Sequence, residues 1–355
     1  MLSNALRINV IYLLLLTAVF AFFLASLSFG GFYKVSLTDL INVMGSRGML
    51  EDPLRVVIDM RLRRGLTSIA VGAILGVSSI ALQNVLRNPL ASPFTLGIQH
   101  AAALGVGVAM TAFGAISIIG PRSATSSTVV MVNPYVVSAL AFAGATIQSF
   151  LILFLAYSVG LSIYAVILAS IALSFASQAA LSLLQYLYFN EVQVATLLFW
   201  TFGDVGRVSW FDVWLLLLIA SAATILFTAL SMDLDLISLG DEVAVSSGVN
   251  VKVVRFVALL TSSLFTAVSV SLVGVIGFAG LLASHAARLT VGWNTRRSVF
   301  AATLYGSLIV LAADFLGRVV LNPVTLPVGI TTTLVGVPLL IALLLGGRRG
   351  VAEGR

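Results

Sequence analysis

The sequence predicts an all-α integral membrane protein with about ten transmembrane helices. Of its 355 residues, 60% are hydrophobic and only 9% are charged, whereas a soluble domain averages about 25% charged residues. A chain this apolar cannot cover a water-facing surface with polar groups. Apolar stretches long enough to cross a bilayer also recur along the whole chain, so we expect residues 1–355 to form a single transmembrane domain.

Nine apolar stretches have the length of a membrane crossing. They lie at residues 8–28, 65–86, 95–119, 134–159, 162–188, 211–231, 253–274, 298–320 and 326–346. The first covers about twenty residues, more than the roughly 7–15 of a signal-peptide core, and is predicted to remain as the first helix. Residues 275–290 are shorter and contain Gly277 and Gly280, which indicates a partial tenth crossing.

Flanking charges favour ten crossings over nine. Arg7 near the N-terminus and Arg348 and Arg349 near the C-terminus are charges of the kind that membrane proteins keep in the cytoplasm. Two cytoplasmic ends require an even number of membrane crossings. The membrane is expected to be the cytoplasmic membrane. This topology places ten of the 19 lysines and arginines inside and nine outside. Either the topology is inverted, or the outer arginines serve a purpose that offsets the positive-inside bias.

Composition excludes several kinds of site. The chain has no cysteine, which excludes disulfides, thiolate metal sites and cysteine nucleophiles. Its net charge of +6 is ordinary for the basic loops of a membrane protein, so no nucleic-acid binding is expected. Neither of its two lysines, Lys34 and Lys252, lies in a phosphate-binding Gly-x-x-x-x-Gly-Lys-Ser/Thr loop. We therefore expect no enzyme activity, no metal and no cofactor, and any ATP hydrolysis would need a separate subunit.

The most polar internal segment, residues 232–252, follows the sixth span. Asp241 and Glu242 are placed to begin a short helix, where carboxylates complement the positive end of the helix dipole. Gly248 is placed to end that helix in the left-handed conformation, and Asn250 to cap the next one. These signals predict two short helices at a bend, while a solvated connector explains the same composition equally well.

Three arginines, Arg61, Arg63 and Arg64, precede the membrane-length stretch from Leu66 to Val85. Facing the cytoplasm, they would be ordinary positive-inside anchors. Facing outward, they would be anomalous and would indicate an acidic partner. The orientation of the helix therefore decides their role.

Four collinear segments connect these features. They run from Arg61 to Gly97, from Leu239 to Val249, from Gly274 to Leu289 and from Ala313 to Pro338. Together they resemble the FecCD-type permeases, the membrane subunits of ABC importers for iron–siderophore complexes, haem and vitamin B12. The resemblance implies a type II importer fold of ten helices, a second permease subunit, ATPase subunits and an extracytoplasmic substrate-binding protein.

The resemblance also implies roles for individual residues. Those that would contact the ATPase subunit are Gly240, Asp241, Glu242, Ala244 and Gly248. Those that would pair with glutamates of the binding protein are Arg61 and Arg64, at the start of the second helix, and Arg318. Arginine offers a bidentate fork to carboxylates, although these side chains would also serve as anchors that snorkel to lipid headgroups.

Two short motifs differ from the usual pattern of the family. The usual Arg-Leu-Pro-Arg is Arg61-Leu62-Arg63-Arg64 here, and the usual Val-Pro-His is Ala283-Ser284-His285. The first replaces a rigid turn residue with an extra charge, Arg63, which would either tune docking or snorkel. The second removes an expected kink.

Few polar residues lie inside the spans. Gln99, His100 and Gln178 are predicted to line the translocation path, because polar groups within a membrane usually mark function. An interhelical hydrogen bond is the favoured alternative for His100, and equally for Gln148 and Gln178. Asp314 lies one turn from Arg318 and is predicted to be its structural partner.

The predicted function is a permease subunit of an ATP-driven importer for an iron–siderophore, haem or cobalamin-type metal chelate, acting as a homodimer or pseudo-dimer. The main alternative is an ion-coupled secondary transporter. That class usually carries ionisable residues near the bilayer midplane, and these spans are almost free of carboxylates. An intramembrane hydrolase is a distant third, because no plausible nucleophile is placed beside His100 or His285 in sequence.

Overall fold

A computed structural model describes residues 4–30, 35–36, 53–113, 116–119, 128–131, 133–321, 324–338 and 341. Within these ranges the regular secondary structure is helical apart from one two-stranded antiparallel sheet. The helices are α1 (Asn4–Ser28), α2 (Pro53–Val85), α3 (Ile98–Ala112), α4 (Pro134–Ser158), α5 (Ile163–Tyr188), α6 (Glu191–Thr201), α7 (Trp210–Ala229), α8 (Ser231–Leu239), α9 (Asp241–Ser246), α10 (Val251–Val273), α11 (Ala279–Val291), α12 (Thr295–Val319) and α13 (Val328–Pro338). The strands are β1 (Ile116–Ile119) and β2 (Thr128–Met131).

The helices confirm a multi-pass membrane architecture. Seven of the described helices are long and apolar enough to cross a bilayer, namely α1, α2, α4, α5, α7, α10 and α12. The shorter helices α3, α11 and α13 occupy the positions of the other predicted crossings. Most predicted bounds lie within three residues of the observed ones, as for residues 162–188 and helix α5. Arg348 and Arg349, which supported the topology, lie outside the described residues.

The second span was predicted to begin at residue 65, and this bound is wrong. Helix α2 begins at Pro53 and runs for 33 residues, with proline at the first helical position, where its missing N–H costs nothing. Ile58 is buried against Leu27, and Leu54 packs on the same cluster. This apolar contact supports additional helical turns, so Arg61 and Arg64 lie inside the helix and not at its start.

Two further segments differ from the prediction. The span predicted at 95–119 ends as a helix at Ala112, and β1 pairs with β2, in keeping with the β-branched residues of both strands. The segment between the spans predicted at 162–188 and 211–231 contains helix α6, where no helix was predicted. This helix begins with a capping box formed by Asn190 and Gln193.

The described residues form two compact units. The first unit draws on residues 1–77, 204–224 and 276–355, and the second on residues 78–203 and 225–275. In the first unit α12 packs against α1 and α11. A Cβ atom on Gly72 would overlap the carbonyl oxygen of Gly306, and one on Gly76 would overlap that of Ala302, so these two glycines allow α2 and α12 to approach closely.

In the second unit α4 packs against α3, α5 and α10. A Cβ atom on Gly105 would overlap the carbonyl oxygen of Leu140, and one on Gly144 would overlap that of Ala101. Ala101 and Gly105 thus allow α3 to pack closely against α4. Gln99 and His100 lie in the first turn of α3, the helix that packs against α4 and α5.

Candidate functional site

Asp314 is the centre of a buried charge cluster in the first unit. Its side chain is 1% exposed, and its Oδ1 accepts from Arg64 Nη2 at 2.7 Å and from Arg64 Nε at 3.2 Å. Its Oδ2 accepts from Arg318 Nε at 3.1 Å, one turn further along α12. Arg64 also pairs with Asp204 at 3.1 Å. We call Asp314, Arg64 and Arg318 the Asp314 centre, in which both oxygens of the carboxylate are used.

Two arginines hold the C-terminal end of α1. Arg61 Nη1 donates to the carbonyl oxygen of Leu27 at 2.6 Å, and its Nη2 donates to that of Gly30. Arg318 Nη2 donates to Ser26 Oγ at 2.6 Å. The last carbonyls of a helix lack intrahelical partners and carry the negative end of its dipole. The two guanidinium groups therefore satisfy acceptors and complement charge in the same place.

The structure thus brings the three predicted docking arginines together in one unit. Arg61 is 5% exposed and Arg318 is 7% exposed, while the Arg64 side chain is 15% exposed. Their forks are engaged by acceptors within the chain. The predicted pairing of Asp314 with Arg318 is confirmed, and the docking role stays a prediction.

Arg63, the residue in place of the family's proline, is more accessible. Its side chain is 25% exposed, Nε donates to Asp59 Oδ2 at 2.9 Å, and Nη1 donates to the carbonyl oxygen of Val208 at 2.8 Å. Asp59 Oδ1 in turn accepts from Trp210 Nε1 at 2.7 Å. Arg63 thereby joins α2 to the residues that precede α7, a role that neither docking nor snorkelling had suggested.

The polar loop at residues 232–252, called the coupling loop because the resemblance predicts that it contacts the ATPase subunit, belongs to the second unit. The short helix predicted to begin at Asp241 is confirmed as α9, and it meets at Gly240 a second short helix, α8, which had not been predicted. Gly248 has φ +86° after the end of α9, and Asn250 Oδ1 accepts from Val253 N at 3.2 Å at the start of α10, both as predicted. Ala244 is fully buried, so α9 is packed onto the protein and is not a loose connector.

A second two-arginine cluster fixes the start of α9. Asp241 Oδ1 accepts from Arg87 Nη2 and from Arg255 Nη2, each at 2.8 Å. Arg255 is 3% exposed and also donates to the carbonyl oxygens of Val85 and Leu161, each at 3.2 Å. We call Asp241, Arg87 and Arg255 the Asp241 centre. The sequence pattern had selected only Asp241 among these three.

The three predicted path residues line one cavity of about 500 Å³ in the second unit. Gln99 Nε2 donates to the carbonyl oxygen of Phe94 at 3.0 Å. His100 Nδ1 is buried and finds no hydrogen-bond partner among the described residues, so the favoured interhelical bond is not made through this atom. Gln178 lies on the same wall as Leu181, one turn along α5.

Gln148 shows the contrasting case of a polar residue with a structural role. It is 3% exposed, its Nε2 donates to the carbonyl oxygen of Gly97 at 2.8 Å, and its Oε1 accepts from Ser177 Oγ at 2.6 Å. It links α4 to the start of α3 and to α5 and leaves no group free for a ligand.

Comparison with known protein families identifies the family to which the chain belongs. The model of the FecCD transport family matches residues 15–346. The chain belongs to this family. It is 36% identical to an ABC transporter permease protein of Methanocaldococcus jannaschii over 316 residues, which cover 89% of this chain and 88% of the relative.

Two further likenesses agree. The chain is 36% identical to the Fe(3+) dicitrate transport system permease protein of Escherichia coli over 294 residues, or 81% of this chain and 85% of that one. A solved metal-chelate type ABC transporter in an inward-facing conformation matches with a TM-score of 0.79 at 25% identity, covering 95% of this chain and 99% of its own. The protein is thus a multi-pass permease subunit of an ABC importer, and ATP hydrolysis belongs to a separate subunit.

Proposed function

We propose that this permease forms the membrane path of an importer for a metal chelate of the iron–siderophore, haem or cobalamin class. Two copies would enclose the path as a homodimer, with an ATPase subunit and an extracytoplasmic binding protein on opposite sides. Support comes from a relative named for ferric dicitrate and a fold shared with a metal-chelate type transporter.

The proposed topology has ten crossings of the cytoplasmic membrane, with both termini in the cytoplasm. Helix α2 contains 33 residues and is therefore about 50 Å long, enough to span a bilayer. It carries Arg61 and Arg64 in its first half, and Arg87 follows its other end. An outward-facing start of α2 places the arginines outside and Arg87, with the coupling loop, inside.

The observation that carries the proposal is the exposed apolar surface of the coupling loop. Leu239 is 71% exposed, Val245 is 63% exposed and Val243 is 43% exposed, beside the carboxylates that begin α9. Exposed apolar side chains grouped on a packed, ordered element indicate a partner surface. We propose that α8 and α9 seat in a groove of the ATPase subunit, with Gly240, Asp241, Glu242 and Gly248 at the contact, while the buried Ala244 holds α9 on the permease.

Docking of the binding protein is proposed at the arginine cluster. The Arg64 side chain is 15% exposed, the largest exposed fraction among the three predicted arginines, and would reach an acidic side chain of the binding protein. Arg61 and Arg318 would act by holding the end of α1 and the residues that follow it. Charge reversal tests this, since Arg64→Glu should weaken binding-protein association, and a Glu→Arg change on the partner should restore it. Restoration is the decisive outcome, because a purely structural role would not be rescued from the partner.

The cavity with Gln99, His100 and Gln178 is proposed to line part of the path. A cavity of about 500 Å³ is within the range that small-molecule sites occupy. The imidazole of His100 and the amide of Gln178, which both line this cavity, would offer polar contacts to a chelate during passage.

The alternative, an ion-coupled transporter, needs an ionisable group free to bind the ion. Asp59 and Asp314 in the described spans are held by arginines, and Asp212 accepts from Ser209. No free midplane carboxylate remains among the described spanning residues.

Reconstitution separates the two functions. Proteoliposomes containing the permease, its ATPase and its binding protein should take up ferric citrate, haemin or cyanocobalamin only with ATP, and a proton uncoupler should not change the rate. Uptake that persists without ATP and collapses with the uncoupler would establish the alternative. The permease alone should hydrolyse no ATP.

A further inference from the structure

Arg87 occupies an unusual backbone position. It follows the end of α2, where Asn88 N donates to the carbonyl oxygen of Gln83 and Arg87 N to that of Asn84, each at 3.2 Å. This is the pattern of a helix end closed by a left-handed residue, normally glycine. Arg87 has φ +45° and is one of three described non-glycine residues with positive φ. A side chain kept in a conformation that favours glycine points to a function for that side chain.

The Arg87 side chain reaches the coupling loop. Its Nη2 meets Asp241 Oδ1 at 2.8 Å across 154 residues of sequence. The same oxygen accepts from Arg255 Nη2 at 2.8 Å, so one carboxylate at the first residue of α9 binds two arginines. Those arginines lie at the end of α2 and in the second turn of α10.

The two halves of this cluster differ. Arg255 has a side chain that is 4% exposed and is fixed by the carbonyl oxygens of Val85 and Leu161. Arg87 and Asp241 have side chains that are 36% and 41% exposed. Water competes for the Arg87 contact, so that contact breaks and re-forms at small cost, whereas the Arg255 attachment is shielded.

We propose that Arg87 and Arg255 are positioning residues for coupling, which hold α9 through Asp241 and join its displacement to α2 and α10. Arg255 supplies the permanent attachment and Arg87 the adjustable one. This inference rests on the proposed role of the coupling loop at the ATPase subunit. It assigns to two residues outside that loop the task of connecting it to the membrane helices.

Arg87→Gly tests the proposal because it separates stability from coupling. Glycine suits the positive φ, so the melting temperature should stay the same or rise. In the complete complex of permease, ATPase and binding protein, stimulation of ATP hydrolysis by the binding protein should fall about fivefold or more, with the basal rate kept. Arg87→Gln should show the same loss. Arg296→Gln is the matched control, since Arg296 is exposed on α12 and makes no ion pair among the described residues.

A distance measurement reports the position of α9 directly. The chain has no cysteine, so spin labels can be placed on Leu90→Cys and Ser247→Cys, both of which are exposed. In a complex with one labelled permease copy and cysteine-free partners, this pair reports the distance from the segment after α2 to the end of α9. We expect one narrow distance distribution in the nucleotide-free complex and a broadened one after Arg87→Gly.

Several outcomes would overturn the proposal. They are normal stimulation in Arg87→Gly, an equal loss in Arg296→Gln, or a loss of folded complex in both Arg87 variants, which would assign Arg87 to folding. Gly248→Val, within the loop but outside the cluster, separates this inference from the proposed function. If Gly248→Val uncouples and Arg87→Gly does not, the loop role stands and the positioning role fails. If neither variant uncouples, both fail.

Discussion

Asp314 and Asp241 each bind two arginines, but their surroundings differ. The Asp314 side chain is 1% exposed and uses one oxygen for Arg64 and the other for Arg318. The Asp241 side chain is 41% exposed and uses a single oxygen for both Arg87 and Arg255. The same residue types thus build one closed cluster and one open cluster.

The two clusters differ in the free energy that is lost when one ion pair is removed. Removing one partner of a buried ion cluster leaves uncompensated charge and costs about 3–5 kcal/mol. An exposed ion pair contributes only about 0–1 kcal/mol. The Asp314 centre is therefore suited to hold helix ends in place, and the Asp241 centre is suited to a contact that changes during a transport cycle.

The largest expected effect is that of Asp314→Asn. It leaves Arg64 and Arg318 buried without their anion, and we expect a loss of about 3–5 kcal/mol in the free energy of unfolding. Unfolding in mixed micelles titrated with denaturing detergent measures it. Asp241→Asn is the matched control, with a smaller expected loss of about 1.5–3 kcal/mol, because Asp241 is 41% exposed although its partner Arg255 is buried. Equal losses in the two variants would remove the distinction between the clusters.

A smaller effect separates the two arginines of the Asp241 centre. Arg255→Gln breaks three charge-assisted hydrogen bonds of a buried side chain, with an expected cost of about 1.5–3 kcal/mol. Arg87→Gln breaks one half-exposed contact and should cost less than about 1 kcal/mol. The same unfolding titration compares them. A greater cost for Arg87→Gln would show that the exposed half carries the attachment.

The smallest effect is that of salt. The Debye length falls from about 10 Å at 0.1 M to about 3 Å at 1 M ionic strength, which screens exposed charges more than buried ones. The coupling energy of Arg87 with Asp241, from a double-mutant cycle, should fall from about 0.5 kcal/mol towards zero. That of Arg64 with Asp314 should not change. Salt sensitivity of the second pair would mean that water enters the Asp314 centre.

Local signals in the sequence predicted much of the coupling loop. Gly248 and Asn250 each end or begin a helix through their own backbone preference or side chain, and both were confirmed. The pairing of Asp314 with Arg318 was also predictable, because residues four apart lie on the same helix face. The capping residues of α6, Asn190 and Gln193, were equally readable, and this helix was missed.

The contacts that join distant segments could not be predicted from spacing. Arg64 meets Asp314 across 250 residues, and Arg87 meets Asp241 across 154. Composition does not tell which residues of two distant segments lie opposite each other. That alignment is set only by the packing of the helices. For the same reason the arginines of the motif were predicted as an exposed docking set, although Arg61 and Arg318 are buried on the end of α1.

Hydrogen–deuterium exchange of the complete complex tests the contrast between the two clusters most directly. Amide exchange reports local opening, and it is compared with and without ATP. We predict that ATP changes the exchange of residues 241–249, next to the Asp241 centre, and leaves residues 311–318, around Asp314, unchanged. Unchanged exchange at 241–249, or an equal change in both segments, would contradict the account.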